Sequence, residues 1–223
     1  MAVAPRGAGD ARVTSPSALV PPDARLRIEA AIADVERRTA GEIVVVVAAQ
    51  SADYASVPWR LGVVLAAVAL LGLALHLPVL PAAALLAAQA VALGIGLALG
   101  RLPAVRHHLV SDVVQDARVA ENARRSFAEH GLAGTTGRTG ILIFVSLLEH
   151  RVVVLADEGI HRVLGPEERW EDVVALALAG IREGRTAGGL EDAVRHCGQI
   201  LAAHVPASAA DVDELRNRVV LED

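Results

Sequence analysis

The sequence contains no lysine, and all 21 of its basic residues are arginines. Aromatic residues are rare, with only five among 223 residues, and there is one cysteine, Cys197. A single cysteine cannot form a disulfide within the chain and has no second cysteine with which to bind a metal. The net charge of −5 argues against nucleic acid as a partner, because binding to the phosphate backbone depends on clustered cations.

Charge is completely absent from residues 61–100, where no Asp, Glu, Lys or Arg occurs. About 20 helical residues cross a hydrocarbon core of about 30 Å, so this run is long enough for two crossings with a turn at residues 76–81. A pair of buried core helices is the alternative, but a soluble domain of this size rarely contains two helices without a polar face. The sequence therefore predicts a transmembrane helical hairpin at residues 58–101.

The arginines that flank the hairpin predict its orientation. Arg60 precedes the first crossing, Arg101 and Arg106 follow the second, and the tip has no cation. By the positive-inside rule, we expect both termini and the soluble domain on the cytoplasmic side of a bacterial inner membrane, with the lipid bilayer as a partner. Gln89 lies mid-span, where a polar residue is either functional or forms a hydrogen bond between the helices.

The remaining sequence predicts a layered α/β domain that the hairpin interrupts. Residues 43–49 and 151–156 are short β-branched runs, typical of buried strands, and residues 141–148 form a third apolar run. Apolar residues at helical spacing follow Asp23, precede His130, and recur after Trp170 and around Cys197. We predict a disordered tail at 1–22, the first part of the domain at 23–57, its second part at 102–205, and an acidic tail at 206–223 whose apolar residues 219–221 form an edge strand or a partner-binding peptide.

Two carboxylates, Asp157 and Glu158, follow the last of these strands in a loop that also contains Gly159. Functional loops of layered α/β folds gather at such strand ends. The pair could bind calcium or magnesium through oxygen atoms, with Asp53 as a further metal ligand, or could act in acid/base catalysis. The third interpretation is a solvated turn that needs glycine for its backbone conformation.

Glycine recurs at every third position from Gly131 to Gly140, in a loop that also contains Arg138. A glycine loop can bind phosphate, but that geometry requires a strand before the loop and a helix after it. Here a helix precedes the loop and a strand follows it, so a plain helix-to-strand connection is the other interpretation.

Several stretches together resemble the TPM domain family, which is also labelled a phosphatase family. They are residues 39–45, 139–146 and 151–160 and Trp170. The resemblance covers about residues 23–205 and implies an α/β/α sandwich with a small central sheet, as in membrane-tethered bacterial proteins and thylakoid proteins of photosystem repair. It also implies acid phosphatase activity, which is attributed to plant relatives, and calcium binding by acidic loops near the sheet. The position matched to the acidic loop is Asp157, with Glu158 beside it.

Two functions from different classes follow. The first is a membrane-anchored interaction, assembly or quality-control factor for membrane proteins, with or without a divalent cation. The second is a metal-assisted phosphatase that uses Asp157 and Glu158, with Arg138 or Arg151 to bind the phosphate charge. A transporter or channel subunit is a third option, which would require oligomerisation because one uncharged hairpin with a single glutamine cannot line a polar pathway.

Overall fold

The computed structural model describes residues 2–3, 15–52, 54, 56–76, 79–102, 105, 109–164, 170–207, 214–215 and 218–222. The chain divides into two compact units. An α/β unit comprises Met1–Ala52 and Val113–Asp223, and a second unit, Asp53–Asp112, contains two long apolar helices.

The α/β unit is organised around a sheet of five strands in the order β1-β4-β3-β2-β5. The strands are β1 (Ala2–Val3), β2 (Glu42–Ala48), β3 (Gly140–Ser146), β4 (Arg151–Ala156) and β5 (Val219–Glu222). Strand β2 is parallel to both β3 and β5, whereas β4 is antiparallel to β3 and to β1. Every residue of β2 and β3 is buried, as expected for β-branched strands that are covered on both faces.

Helices cover both faces of this sheet. Alternate strand residues such as Val45 and Ile143 pack with α2 (Pro22–Glu36), α7 (Trp170–Arg182) and α8 (Thr186–His204). Their neighbours, such as Val46 and Phe144, pack with α5 (Asp112–Glu129) on the opposite face. The predicted α/β/α sandwich with a small central sheet, interrupted by two apolar helices, is confirmed.

The predicted helical stripes also lie in this core. Trp170, Val174 and Ala177 of α7 are buried, and so are Leu190, Val194, Cys197 and Leu201 of α8. The two helices approach closely because both have glycine at the crossing, where a Cβ on Gly180 would overlap the Cα of Gly189. Cys197 is a fully buried core side chain, and this burial raises the pKa of its thiol to about 12.

Both terminal segments contribute structure to the sandwich. Part of the segment expected to be a disordered tail is ordered, since helix α1 spans Pro16–Leu19 and Val20 is only 1% exposed. Helix α2 begins at Pro22, just before the helical spacing that follows Asp23, because proline suits the first helical position, where its missing N–H would have no partner within the helix. At the other terminus, β5 pairs with β2 as an edge strand, and the Val219 N–H donates to Glu29 Oε1 at 3.2 Å.

The second unit consists of α3 (Ser56–His76) and α4 (Ala82–Leu99), joined at residues 77–81. Both helices are long and apolar enough to cross a membrane. Within the chain, only 17% of the apolar stretch of α3 and 6% of that of α4 is buried, whereas core helices of a soluble protein are mostly buried. Large apolar side chains such as Val68, Leu75 and Leu86 are more than 60% exposed.

Small residues and one polar residue join these two helices. A Cβ on Gly96 would overlap the backbone of Gly62, and a Cβ on Gly100 would overlap Pro58, so the helices touch backbone to backbone. With its amide oriented to satisfy both atoms, Gln89 donates to the Ala66 carbonyl at 2.8 Å and accepts from the Leu70 N–H at 3.2 Å. Gln89 therefore forms a hydrogen bond between the helices, which was one of the two interpretations of its position.

Candidate functional site

The predicted acidic loop lies at the end of the sheet where β2 and β3 begin, called here the amino end. Asp157 follows β4 directly, and its N–H donates to the Gly140 carbonyl at 2.9 Å. Its side chain caps the six-residue helix α6 (Glu158–Val163), where Oδ1 accepts the Glu158 N–H at 2.7 Å. Asp157 is 8% exposed. The strand before it, β4, is paired with β3 in the sheet, so the Asp157 carboxylate has a fixed position.

Arg138 from the glycine-spaced loop is the second member of this site. Its Nε lies 3.0 Å from Asp157 Oδ2, a charge contact that lacks hydrogen-bond geometry, since Oδ2 is buried without a hydrogen-bond partner among the described residues. Arg138 has φ of 55°, in the left-handed region that few residues other than glycine adopt. Its carbonyl accepts the N–H of Gly159 at 2.9 Å, and a Cβ on Gly159 would lie 2.6 Å from that oxygen.

The glycine-spaced loop therefore packs against the start of α6 at a position where only glycine fits. Its Thr136 N–H is occupied by the Glu214 carboxylate, whose oxygens lie 3.0 and 3.1 Å away. The loop connects α5 to β3 through a short 3-10 turn, Leu132–Gly134, which begins after Gly131 at φ 78°. The glycine-spaced loop is therefore a helix-to-strand connection, which was one of the two interpretations of its sequence.

Glu158 is exposed and pairs with Arg162 of its own helix at 2.8 Å. The Arg162 guanidinium lowers the pKa of the Glu158 carboxyl, first through this hydrogen bond and then through charge. Both predicted carboxylates thus have an arginine partner, and a cation bound by the pair would have to displace Arg138 and Arg162.

The third predicted ligand, Asp53, lies outside the described residues, so the combination of Asp53, Asp157 and Glu158 stays a prediction. No group of three or more His, Cys, Asp or Glu side chains that could hold a metal ion occurs in the part of the chain that the structure describes. Calcium and magnesium prefer several oxygen ligands. Among described residues the acidic loop supplies two carboxylates, each already paired with a cation.

A second polar cluster, which the sequence did not predict, lies at the opposite end of the sheet, called here the carboxyl end. Ser51 follows β2, Ser146 ends β3, and Glu149 lies in the turn before β4. Ser51 Oγ donates to Ser146 Oγ at 2.6 Å, and Ser146 Oγ donates to Glu149 Oε2. The Ser51 N–H lies 3.1 and 3.2 Å from the two Glu149 carboxylate oxygens, so a buried carboxylate joins segments far apart in sequence.

Arg151 adds a buried cation to the same end. It is 3% exposed, its Nε donates to Asp116 Oδ1 of α5 at 2.6 Å, and its Nη1 donates to the Glu149 carbonyl at 3.3 Å. Arg151 therefore lies far from Asp157, at the other end of β4, whereas Arg138 lies beside it. In the sequence, this cluster was indicated by the presence of Ser146, Glu149 and Arg151 within otherwise apolar runs.

Comparison with solved structures identifies a similar fold. The NMR structure of the BA42 protein from the psychrophilic bacterium Bizionia argentinensis matches with a TM-score of 0.55 at 19% sequence identity, covering 89% of this chain and 92% of BA42. No protein-family model matches the sequence, and no curated protein matches it. At this level of identity the likeness shows the shared α/β fold.

Proposed function

We propose that this chain is a membrane-anchored protein of the TPM type whose α/β domain faces the cytoplasm and binds other membrane proteins as an assembly or quality-control factor. A divalent cation, calcium or magnesium, is a candidate cofactor of this domain. The observation that carries the proposal is the insertion of two exposed apolar helices between β2 and α5 of a complete α/β sandwich.

The hairpin supports the membrane anchor on physical grounds. Exposing side chains such as Leu71, Leu75 and Val79 to water is unfavourable, and a bilayer removes that cost. The backbone contacts at Gly62 and Gly96 and the hydrogen bonds of Gln89 are the kind of packing that holds helices together in lipid. The cytoplasmic orientation rests on Arg60 and Arg101, which lie at the same end of the hairpin.

The fold supports the TPM assignment. The segments that resemble the family form the centre of the sandwich, namely β2, β3, β4 with α6, and the start of α7. A sheet covered on both faces, with an acidic loop at one end, is the architecture that this resemblance implies. The likeness to BA42 agrees with that architecture.

Photo-crosslinking in intact membranes tests the interaction. A photoreactive residue replaces Arg118 or Glu121, which are exposed on α5, and the matched control places it at Val68 on the exposed face of α3. We expect a recurrent protein adduct from α5 and mainly lipid adducts from α3. Absence of any recurrent protein adduct from the α/β domain, at several such positions, would contradict the interaction.

Sealed inner-membrane vesicles test the anchor and its orientation independently. We expect the protein to resist alkaline extraction, and a protease site placed near Val79, between the helices, to be cut only from the periplasmic side. Cleavage from the cytoplasmic side would show that the orientation is wrong, and alkaline release would show that the anchor is wrong.

A phosphomonoesterase is the second candidate, favoured by the proximity of Arg138 to Asp157 at one sheet end. An arginine beside a carboxylate could bind a phosphate while the acid exchanges a proton. The full chain in detergent is assayed on a generic phosphoester with added magnesium or calcium. Turnover that is lost in Asp157→Asn, a variant that keeps the capping oxygen, would support this candidate, and equal turnover in the variant would remove Asp157 from the mechanism.

A further inference from the structure

A continuous chain of hydrogen bonds links the surface to a buried carboxylate at the carboxyl end. It runs from Ser51 Oγ to Ser146 Oγ, and from there to Glu149 Oε2. Ser146 and Glu149 are 0% and 1% exposed, whereas Ser51 is half-buried. A proton on the outermost hydroxyl therefore has a path to the carboxylate that does not pass through solvent.

Backbone hydrogen bonds hold the three groups in this arrangement. The N–H groups of Leu147 and Leu148 donate to the carbonyls of Ala48 and Ala49 at 3.0 and 2.9 Å, which ties the β3–β4 turn to the segment after β2. The Ser51 N–H bonds to the Glu149 carboxylate as well. The hydroxyls thus stand in fixed geometry before any ligand arrives, as proton transfer at a catalytic site requires.

The position in the fold also favours a site. Strands β2 and β3 are parallel and both end here, at Ala48 and Ser146. In open α/β sheets, ligands bind outside the carboxyl ends of parallel strands. A hydroxyl becomes nucleophilic when a base can take its proton, and here the Ser146 hydroxyl connects Ser51 Oγ to such a base, the Glu149 carboxylate.

We propose that Ser51 is the nucleophile of an acyl-transfer site that accepts small carboxylic esters, with Ser146 as proton relay and Glu149 as general base. Ser51 Oγ bonds to the ester carbonyl carbon while its proton passes to Ser146 Oγ and the Ser146 proton passes to Glu149. The bond to the alkoxy group then breaks, and that group leaves as the alcohol after it takes a proton from Ser146 Oγ, which Glu149 reprotonates. Water hydrolyses acyl-Ser51 and releases the carboxylic acid. This activity goes beyond the proposed interaction function and does not depend on it.

Fluorophosphonate labelling of the unmodified full chain in detergent micelles tests the nucleophile. Ser51 Oγ would bond to phosphorus with loss of fluoride. The chain supplies an internal reference, because Ser15 Oγ and Ser17 Oγ lie 3.0 Å apart in an exposed hydroxyl pair. By mass spectrometry we expect Ser51 to be labelled at least about 100-fold faster than Ser15 or Ser17, the scale of general-base catalysis. Labelling of Ser51 no faster than that pair would overturn the proposal.

Variants test the relay and the base. We expect Ser146→Ala and Glu149→Gln to slow Ser51 labelling by about 100-fold, and Ser17→Ala to leave it unchanged. Release of p-nitrophenol from p-nitrophenyl acetate should disappear in Ser51→Ala. If Glu149→Gln does not fold, Ser146→Ala decides, since it removes only a hydroxyl. A folded Ser146→Ala with the wild-type labelling rate, or hydrolysis that persists in Ser51→Ala, would refute the mechanism.

Discussion

The two ends of the sheet use carboxylates in opposite ways. At the amino end, Glu158 is exposed and Asp157 meets a half-exposed arginine, so both acids are balanced by cations near solvent. At the carboxyl end, Glu149 is buried and is satisfied by a backbone N–H and a serine hydroxyl. The two acids that the sequence made visible, Asp157 and Glu158, are each paired with an arginine, whereas Glu149, which joins the segment after β2 to the β3–β4 turn, lies within an apolar stretch and was not predicted.

Removing a carboxylate should cost more free energy of unfolding at the carboxyl end than at the amino end. Glu149→Ala leaves the Ser51 N–H and the Ser146 hydroxyl without this acceptor in a buried site, and each such loss costs about 1–3 kcal/mol. We expect the free energy of unfolding of the α/β domain to fall by about 3 kcal/mol, measured by urea denaturation of the full chain in detergent.

The matched control is Glu158→Ala, which removes an exposed carboxylate that pairs with Arg162 of its own helix. We expect its unfolding midpoint to equal that of the wild type within error, because exposed ion pairs contribute little. Equal unfolding midpoints for Glu149→Ala and Glu158→Ala would contradict the expected difference in stability contribution between the two ends of the sheet.

A steric variant addresses the amino end. Gly159→Ala places a Cβ against the carbonyls of Gly137 and Arg138, so the loop or α6 must shift. We expect a loss of about 2 kcal/mol, typical of overpacking, by the same denaturation measurement. Gly134→Ala in the same loop is the control, since its added Cβ meets nothing within 4 Å. A similar cost for both variants would mean that the contact at Gly159 does not hold the loop.

Removal of the cap at the amino end should have a smaller effect. Asp157→Ala loses the oxygen that accepts the Glu158 N–H, which costs about 1 kcal/mol for a typical N-cap. Asp157→Asn keeps a capping oxygen but loses the charge opposite Arg138. If Asn is as destabilising as Ala, the ion pair with Arg138 matters more than the cap.

Cys197 of α8, buried in the core on one face of the sheet, provides the smallest expected effect. Its folded pKa of about 12 lies above the value of about 8.5 for an unfolded thiol. Its contribution to the free energy of unfolding is therefore fully present below about pH 8.5 and is lost as the pH rises toward 12. At about pH 9 we expect this thiol to lower the free energy of unfolding by about 0.8 kcal/mol relative to pH 7. The same pH difference measured in Cys197→Ala isolates this contribution, and identical pH dependence in the two proteins would contradict it.

The sequence was informative where one local rule determined the structure. Strands β2 and β4 were found within one residue because β-branched runs admit few alternatives. Strand β3 ends at Ser146, two residues before the apolar run 141–148 does. Leu147 and Leu148 are apolar, but their N–H groups donate to the segment after β2. That pairing joins residues about 100 positions apart, which local patterns do not encode.

The same limit applies to the sites. The position of Asp157 at a strand end was visible in the sequence, but its contact with Arg138 depends on the absence of a side chain at Gly159. The link between Ser51 and Glu149 depends on strand register, which no short motif specifies. The two-residue strand β1 was missed because it is too short to show any alternation.

The backbone contact between Pro58 and Gly100 has a consequence for how the domain folds. Strand β2 leaves the ribosome about 100 residues before its parallel partner β3, and closing so long a loop is costly in chain entropy. Once α3 and α4 have packed, however, the chain enters and leaves the pair at touching residues. The loop that separates the two strands then behaves as one about 40 residues shorter, because the paired helices act as a rigid bridge. Assembly of the helical pair thereby lowers the entropic barrier to pairing the two central strands.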